Sequence, residues 1–480
     1  MNNNIIEIIL NKDKNTNYQC DFDKINNEYI ITVEKAVTPK YCPVCNTKMY
    51  SKGIRTRRVR HPILNNGKTI LIHLKQRSWV CTNEMCKHRT TDEFSFVEKY
   101  KQTTNMTDLM ILNELRDLNL TAKQVAKRFK VSDTHVYNIF DKYVNIERFP
   151  LTNVISIDEV FTNFDNDRKY SLVIMDFMTN KPIDLIESRR NKYTDEYFSS
   201  IDIEERANVE YLICDMYKPY FNYVKKYFIN AKLVVDSFHV IQWLILKIDT
   251  YLKGLYRKYN YIYQDRLFEL KKYNPDAKLR ISDEMYLLKF CKWLILSNSS
   301  SINYSAKHKY NHHFKIHVDT YFLEKKFFEI NDILPSIKKL KEKYIDFNSK
   351  KYDDLSEVES KLDYLIEVYK LSEINIFIEF AALLERYKEN IINSFVVIEK
   401  INSNGVVYKS RLSNGPIEAT NRKIKDLKRH SRGFNSFTHI RNRFLFSENE
   451  NSTIRNCPLK MKDIRRPPGK KRGKYKRRSI

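Results

Sequence analysis

Two pairs of closely spaced cysteines, Cys42-Pro43-Val44-Cys45 and Cys81-Thr82-Asn83-Glu84-Met85-Cys86, constrain the first part of this chain more than any other feature. A short loop lets two thiolates face one ion, and two such loops complete a tetrahedral set, which suits Zn2+. The segment between the pairs alternates as a strand does, through Ile70, Ile72 and Leu74. The pattern resembles a zinc ribbon. A single pair would equally be a redox motif or an accident. Two pairs, flanked by Arg55, Arg57, Arg58 and Arg60, point to Cys42, Cys45, Cys81 and Cys86 as zinc ligands. Four protein ligands leave no open position, so the expected ion is structural. Cys20, Cys214, Cys291 and Cys457 are scattered and read as small core residues.

The reading of thiols as metal ligands rests on a reducing compartment. No run approaches the roughly 18 apolar residues of a membrane helix. The start, Met1-Asn2-Asn3-Asn4, lacks a basic region followed by an apolar one. A cytoplasmic protein without membrane contact is expected. Formal net charge is +26, from 85 basic and 59 acidic residues, which favours a polyanionic partner. A lysine-rich coding bias accounts for part of this excess but not for its clustering. The tail over 451–480 is basic, and from Lys460 on it holds Lys470-Lys471-Arg472 and Lys476-Arg477-Arg478 with almost no apolar content. It is expected to stay unfolded until it meets a polyanion.

Thr121–Phe129 reads as a capped helix, Lys130-Val131 as a turn, and Ser132–Phe140 as a second helix with Ser132 as its cap. Val125, Ala126, Val131, Val136 and Ile139 would pack the two together. Ser132, Thr134, His135 and Asn138 would then face outward, where their polar groups can meet base edges. The plainer alternative is an ordinary helical hairpin. The adjacent cysteine module and the basic balance favour a DNA-binding helix-turn-helix.

From Asn153 the pattern changes. Val154–Asp158, Tyr170–Asp176, Pro182–Ser188, Val209–Asp215 and Leu233–Asp236 read as strands, in a β-β-β-α-β-α-β order. Asp158 closes the first strand and Asp215 the fourth. In a ribonuclease-H-like sheet these strands are neighbours, so their carboxylates converge and can hold divalent ions such as Mg2+ or Mn2+. Glu159 would point to the opposite face if the strand continues. Residues 240–405 show helical stripes instead, Leu355, Val358, Leu362, Leu365, Tyr369 and then Phe377, Phe380, Leu384, Tyr387. In Ser413-Asn414-Gly415-Pro416-Ile417-Glu418, Asn414 can cap and Pro416 suits the first helical turn. Glu418, Asn421, Arg422 and Lys425 then share one polar face. Such a face is either a solvated surface or an acid placed beside a phosphate-binding stripe.

These blocks together resemble the ISL-three family of bacterial insertion-sequence transposases. The resemblance covers almost the whole chain. It is carried by the cysteine pairs, the helix-turn-helix, Ile157-Asp158-Glu159, Cys214–Tyr220, Val235-Asp236-Ser237-Phe238-His239-Val240 and Asn414–Lys425. One departure is Lys87-His88-Arg89-Thr90-Thr91, which matches the family's text only loosely. The resemblance implies a DDE transposase, α/β and multi-domain, with a ribonuclease-H-like catalytic domain broken by a large α-helical insertion. The implied catalytic metal ligands are Asp158, Asp215 and Glu418. Asp236 and His239 match a D-x-x-H element and stand as alternative or supporting residues, since Asp236 also follows a strand. Asn421, Arg422 and Lys425 are expected to contact DNA. The implied partners are double-stranded DNA, as terminal inverted repeats and target, and further copies of the chain on that DNA, at the bacterial nucleoid. A regulator that binds DNA but no longer cuts is the alternative. The expected domains are a β segment over 1–37, a zinc-ribbon-like domain over 38–100 and a helix-turn-helix over 101–150. The catalytic domain follows over 151–240, then the helical insertion over 241–410, the Glu418 part over 411–450 and the tail.

Overall fold

The computed structural model describes residues 16–26, 28–64, 68–304, 307–402, 404–431 and 436–450, with 452, 454, 455 and 459. The first 15 residues of the expected β segment, Cys457 and the basic runs of the tail lie outside the described residues. The chain divides into two compact units, residues 1–147 with 423–480, and residues 148–422.

In the first unit a five-stranded sheet is built from β1 (Thr16–Asp23), β2 (Glu28–Lys35), β3 (Met49–Leu64), β4 (Lys68–Cys81) and β5 (Arg89–Thr91). The order is β1-β2-β4-β3, with β5 on β4. Alternation places Ile31, Val33, Val59, Ile70, Ile72 and Leu74 in one core with Phe94, Phe96 and Val97. The β3–β4 hairpin sets Met49 opposite Cys81, so both cysteine loops open at the same end. A bulge between Ser51 and Gly53 interrupts the pairing, and Gly53 takes φ +142°, a conformation open to glycine.

Three helices follow, Asn105–Glu114, Ala122–Phe129 and Asp133–Tyr143. Thr121 and Gln124 form a reciprocal capping box, Lys130 turns the chain in the left-handed region, and the Ser132 hydroxyl accepts from His135 N. Val125, Ala126, Val136 and Ile139 are buried as expected, whereas Val131 is half-buried. A fourth helix, Phe437–Glu448, completes this core. Its Phe446 meets Phe140 edge to face, and its buried Arg443 donates to the carbonyls of Asp117 and Leu120. The boundary between the two compact units falls after Arg422, inside the helix Gly415–His430. In the helix Phe437–Glu448, Ile440, Phe444, Leu445 and Phe446 are all buried within the first unit.

The second unit opens with a sheet of β6 (Val154–Phe161), β7 (Tyr170–Asp176), β8 (Lys181–Ile186), β9 (Tyr211–Cys214) and β10 (Lys232–Val235). The order is β10-β9-β6-β7-β8. β6, β7 and β8 form an antiparallel meander, while β9 and β10 run parallel to β6. Helices Asn191–Ser199, Ile203–Ala207 and Lys218–Tyr227 provide the crossovers. β6 does not end at Asp158. Glu159, Val160 and Phe161 continue it by pairing with Leu172, Ser171 and Tyr170.

Helices dominate residues 237–393, starting with the 37-residue helix Ser237–Tyr273. Val240, Leu244, Ile248 and Leu252 bury at four-residue steps in its first half. The expected stripes join the same core through Val358, Leu362, Leu365, Tyr369, Phe377, Phe380 and Leu384. Leu355 is exposed, and Tyr387 only partly covered. This region is not wholly helical: Lys309–Asn311 pairs with Ile316–Val318, and Val397–Ile401 with Val407–Arg411. The second hairpin holds Val397, Ile398, Ile401 and Val407, β-branched residues that favour strand. It returns the chain to the sheet, where Leu412 packs with Val154, Phe177, Ile213 and Val234. No described helix is long and apolar enough to cross a membrane.

Candidate functional site

Sheet order decides which acids meet. β6 lies between β7 and β9, and β9 between β6 and β10, so Asp158 on β6, Asp215 just after β9 and Asp236 just after β10 occupy adjacent strands. The helix Gly415–His430 adds Glu418 from its first turn. Ligand atoms of Asp236, His239 and Glu418 lie within 4.8 Å of one another.

Each carboxylate is held by named donors. Asp158 accepts from Glu159 N at 2.8 Å on one oxygen and from Asn421 Nδ2 at 2.8 Å on the other. Asp215 accepts from Tyr217 N at 2.9 Å. Asp236 accepts from Asn414 N at 3.2 Å and is 2% exposed, whereas Asp158, Asp215 and Glu418 stay partly open. Burial pushes Asp158 up to about 6; Asp215 and Glu159 add to the rise, against the Glu159 N–H and His239. Burial also raises Asp215 and Asp236, the latter helped by Glu418. Several half-desolvated carboxylates raising one another form a site that a cation relieves. The oxygen donor set suits a hard divalent cation. Two buried side-chain amides beside these acids also have atoms without a partner among the described residues, both polar atoms of Asn414 and Oδ1 of Asn421.

The raised Asp158 gives a pH expectation. A group whose folded pKa exceeds its unfolded value contributes most to stability at low pH, and that contribution is lost as pH rises through about 6. Without Mg2+ or Mn2+, the Asp158→Asn chain should therefore melt above wild type at pH 8, with the gap closing towards pH 5. Thermal melts across that range check it; a gap that widens on acidification contradicts the burial argument.

Glu159 faces away from Asp158 and joins a separate network. It pairs with Arg189 and accepts from the Tyr220 hydroxyl. The Arg189 guanidinium lies over the rings of Tyr170 and Tyr217, at 4.6 and 4.9 Å, and its charge lowers Asp215. Sequence reasoning missed Arg189. The only signal was a pair of arginines directly after the third strand.

Asn421, expected on a DNA-facing stripe, is buried at 5% exposure and committed to Asp158. Three residues after Glu418, it falls on the face turned to the sheet. Arg422 and Lys425 are exposed. Among the recognition residues, Ser132 and Thr134 are exposed and Asn138 is partly exposed. His135 is half-buried rather than fully outward, because it turns into a cleft of about 840 Å³ shared with Arg58, Arg60, Thr103 and Lys130.

Cys42, Cys45, Cys81 and Cys86 converge as their spacing predicts. Cys42 Sγ lies 3.7 Å from Cys86 Sγ, and Cys45 Sγ 3.4 Å from Cys81 Sγ. Zinc–sulfur bonds of roughly 2.3 Å in a tetrahedron put sulfurs roughly 3.8 Å apart, so the cluster fits the ion. Cys20 is half-buried, and Cys214 and Cys291 are buried free thiols, as core residues should be.

A sheet with acids on adjacent strands, a helix-turn-helix and a four-cysteine cluster thus occur in one chain. A family model described as "Transposase", for the DDE domain of ISL3, matches residues 155–444, more than half of the chain. A second, "Helix-turn-helix domain of transposase family ISL3", matches residues 93–144. The chain belongs to the ISL3 transposase family. Comparison with curated proteins gives no match.

Proposed function

We propose that this transposase binds the terminal inverted repeats of an insertion sequence and catalyses DNA strand cleavage and strand transfer on a ribonuclease-H-like sheet. The observation that carries the reading is the placement of Asp158, Asp215 and Asp236 on adjacent strands of one sheet, with Glu418 from a helix whose ligand atom groups with those of Asp236 and His239. Asp158, Asp215 and Glu418 act as the catalytic ligands, because they stay partly open to a substrate phosphate. Asp236 is closed off and spends one oxygen on Asn414 N, which anchors the start of the Glu418 helix. The distance group with His239 favours a second reading, in which Asp236 replaces Asp215 as ligand. Bound Mg2+ or Mn2+ would activate the attacking oxygen and stabilise the leaving one.

The protein's own residues do the rest. The strand and helix fix the carboxylates before substrate arrives, and Arg189 keeps positive charge beside Asp215. No Ser or Tyr nucleophile is needed. Ser132, Thr134, His135 and Asn138 contact the terminal repeats, Arg422 and Lys425 the phosphates, and a structural Zn2+ closes the cysteine module. The protein works as a homo-oligomer on DNA in the bacterial cytoplasm, at the nucleoid.

The test is a labelled duplex carrying the element's end, incubated with Mg2+ or Mn2+. Metal-dependent cleavage that frees a 3′-hydroxyl, and little cutting of an RNA–DNA hybrid, is expected. Tight binding without cleavage in either metal would make the protein a regulator instead.

A further inference from the structure

We propose that Asn421 is a positioning residue that sets the Asp158 carboxylate for cation binding. The inference rests on the reading of Asp158 as a ligand and adds a residue to it. Asn421 sits three residues after Glu418 on the helix Gly415–His430, and its side chain is turned into the sheet. Its Nδ2 donates to Asp158 Oδ2 at 2.8 Å, with a longer contact to Glu159 O at 3.5 Å. The other oxygen, Oδ1, is fixed by Glu159 N at 2.8 Å. The carboxylate is thus held from both ends, and its remaining lone pairs keep one orientation.

The chemistry of the donor matters. A lysine or arginine here would neutralise Asp158 and repel a cation. A neutral amide orients the carboxylate and leaves its charge intact. The same amide carries a second signal. Asn421 Oδ1 is buried and has no partner among the described residues. Buried acceptors are rarely left unmade. The described residues supply no donor for this one, and a water on a bound cation would be one. One amide therefore joins the two ligand-bearing elements, the helix of Glu418 and the strand of Asp158, and keeps an acceptor on the side chain that holds Asp158. Residues that orient metal ligands typically change metal affinity by about 10–100-fold when removed.

The experiment uses the full chain with its zinc retained. Mn2+ is titrated by calorimetry without DNA, and the Mn2+ dependence of cleavage is measured on the terminal duplex. Asn421→Ala should weaken Mn2+ binding about tenfold and raise the half-saturating Mn2+ for cleavage by a similar factor, with much of kcat recovered at saturation. Asn421→Leu keeps the volume without the polar atoms and should lose as much. It also serves where the alanine chain folds poorly. Leucine restoring the affinity that alanine loses would make the role one of packing and overturn the proposal, as would either variant binding Mn2+ as tightly as wild type. Wild type binding no more Mn2+ than Asp158→Ala would remove the underlying ligand assignment, and this inference with it.

Discussion

Asp158→Ala should lower cleavage of a terminal duplex by roughly a thousandfold or more while leaving binding of that duplex within about twofold, since several kcal/mol of charge stabilisation are lost at 1.36 kcal/mol per tenfold. The asymmetry follows from the division of the chain. Asp158 lies on β6 in the unit spanning 148–422, whereas the helix-turn-helix belongs to the other unit. Removing a carboxylate from a crowded acidic cluster also relieves repulsion, so the variant should fold at least as well as wild type. Lost cleavage can then be assigned to chemistry. Asp215→Ala and Glu418→Ala should behave alike. Asp236→Ala should fail differently, with a lower melting temperature, because its carboxylate holds Asn414 N at the start of the Glu418 helix. Full activity in Asp158→Ala would end the enzyme reading. A stable Asp236→Ala chain as inactive as Asp158→Ala, beside an active Asp215→Ala, would move the second ligand to Asp236. Cleavage by gel and binding by fluorescence anisotropy measure the two arms.

The second large effect concerns the cysteine cluster. Purified protein should carry one zinc, and Cys81→Ser, or a strong chelator, should release it and abolish duplex binding. Structural zinc contributes on the order of 10 kcal/mol to folding in small modules, more than one sheet can replace. Here the cluster adjoins only a small buried set, Met49 and Trp79 beside Cys42 and Cys81. Trp79 also donates to Asp92 at 2.8 Å, so its fluorescence should report the change. Without the ion, Cys81 is buried as a thiol pushed up to about 12, and Cys45 is lowered to about 6 by Thr47, so zinc must displace protons and its hold weakens in acid. Metal analysis with tryptophan fluorescence checks this. Normal duplex binding by a zinc-free chain would relegate the cluster to an incidental grouping.

Much of this was legible in the sequence, for identifiable reasons. The cysteine spacing is a covalent constraint, and the four sulfurs met as it required. The helix-turn-helix was legible because caps and apolar spacing are local, and Thr121, Ser132, Val125 and Val136 act locally. The first and fourth strands, β6 and β9, were the one pair of sheet neighbours expected, and they do pair. What stayed hidden depends on distant partners. Asn421 looked like one member of a polar stripe until the strand it faces was in place. Arg189 has no motif, and its role comes from Glu159, Tyr170 and Tyr217, which only the fold assembles. The helix Phe437–Glu448 lies in the expected 411–450 segment, yet its packing inside the unit of the helix-turn-helix depends on distant partners that no local pattern shows. Asp158 seemed to end its strand because the apolar run stops there, whereas backbone pairing continues.

That last helix bears on how the protein comes into being. Ribosomes deliver chain at about 5–20 residues per second, so the helix-turn-helix segment emerges roughly 15–60 s before residues 437–448. Until they arrive, Phe140 lacks the ring of Phe446, and the carbonyls of Asp117 and Leu120 lack Arg443. Over much of the same interval the sheet waits for Glu418 and Asn421. The helix-turn-helix core and the acid-bearing sheet are thus both completed only by segments that follow residue 414. A chain stopped before that point would lack the partners of both.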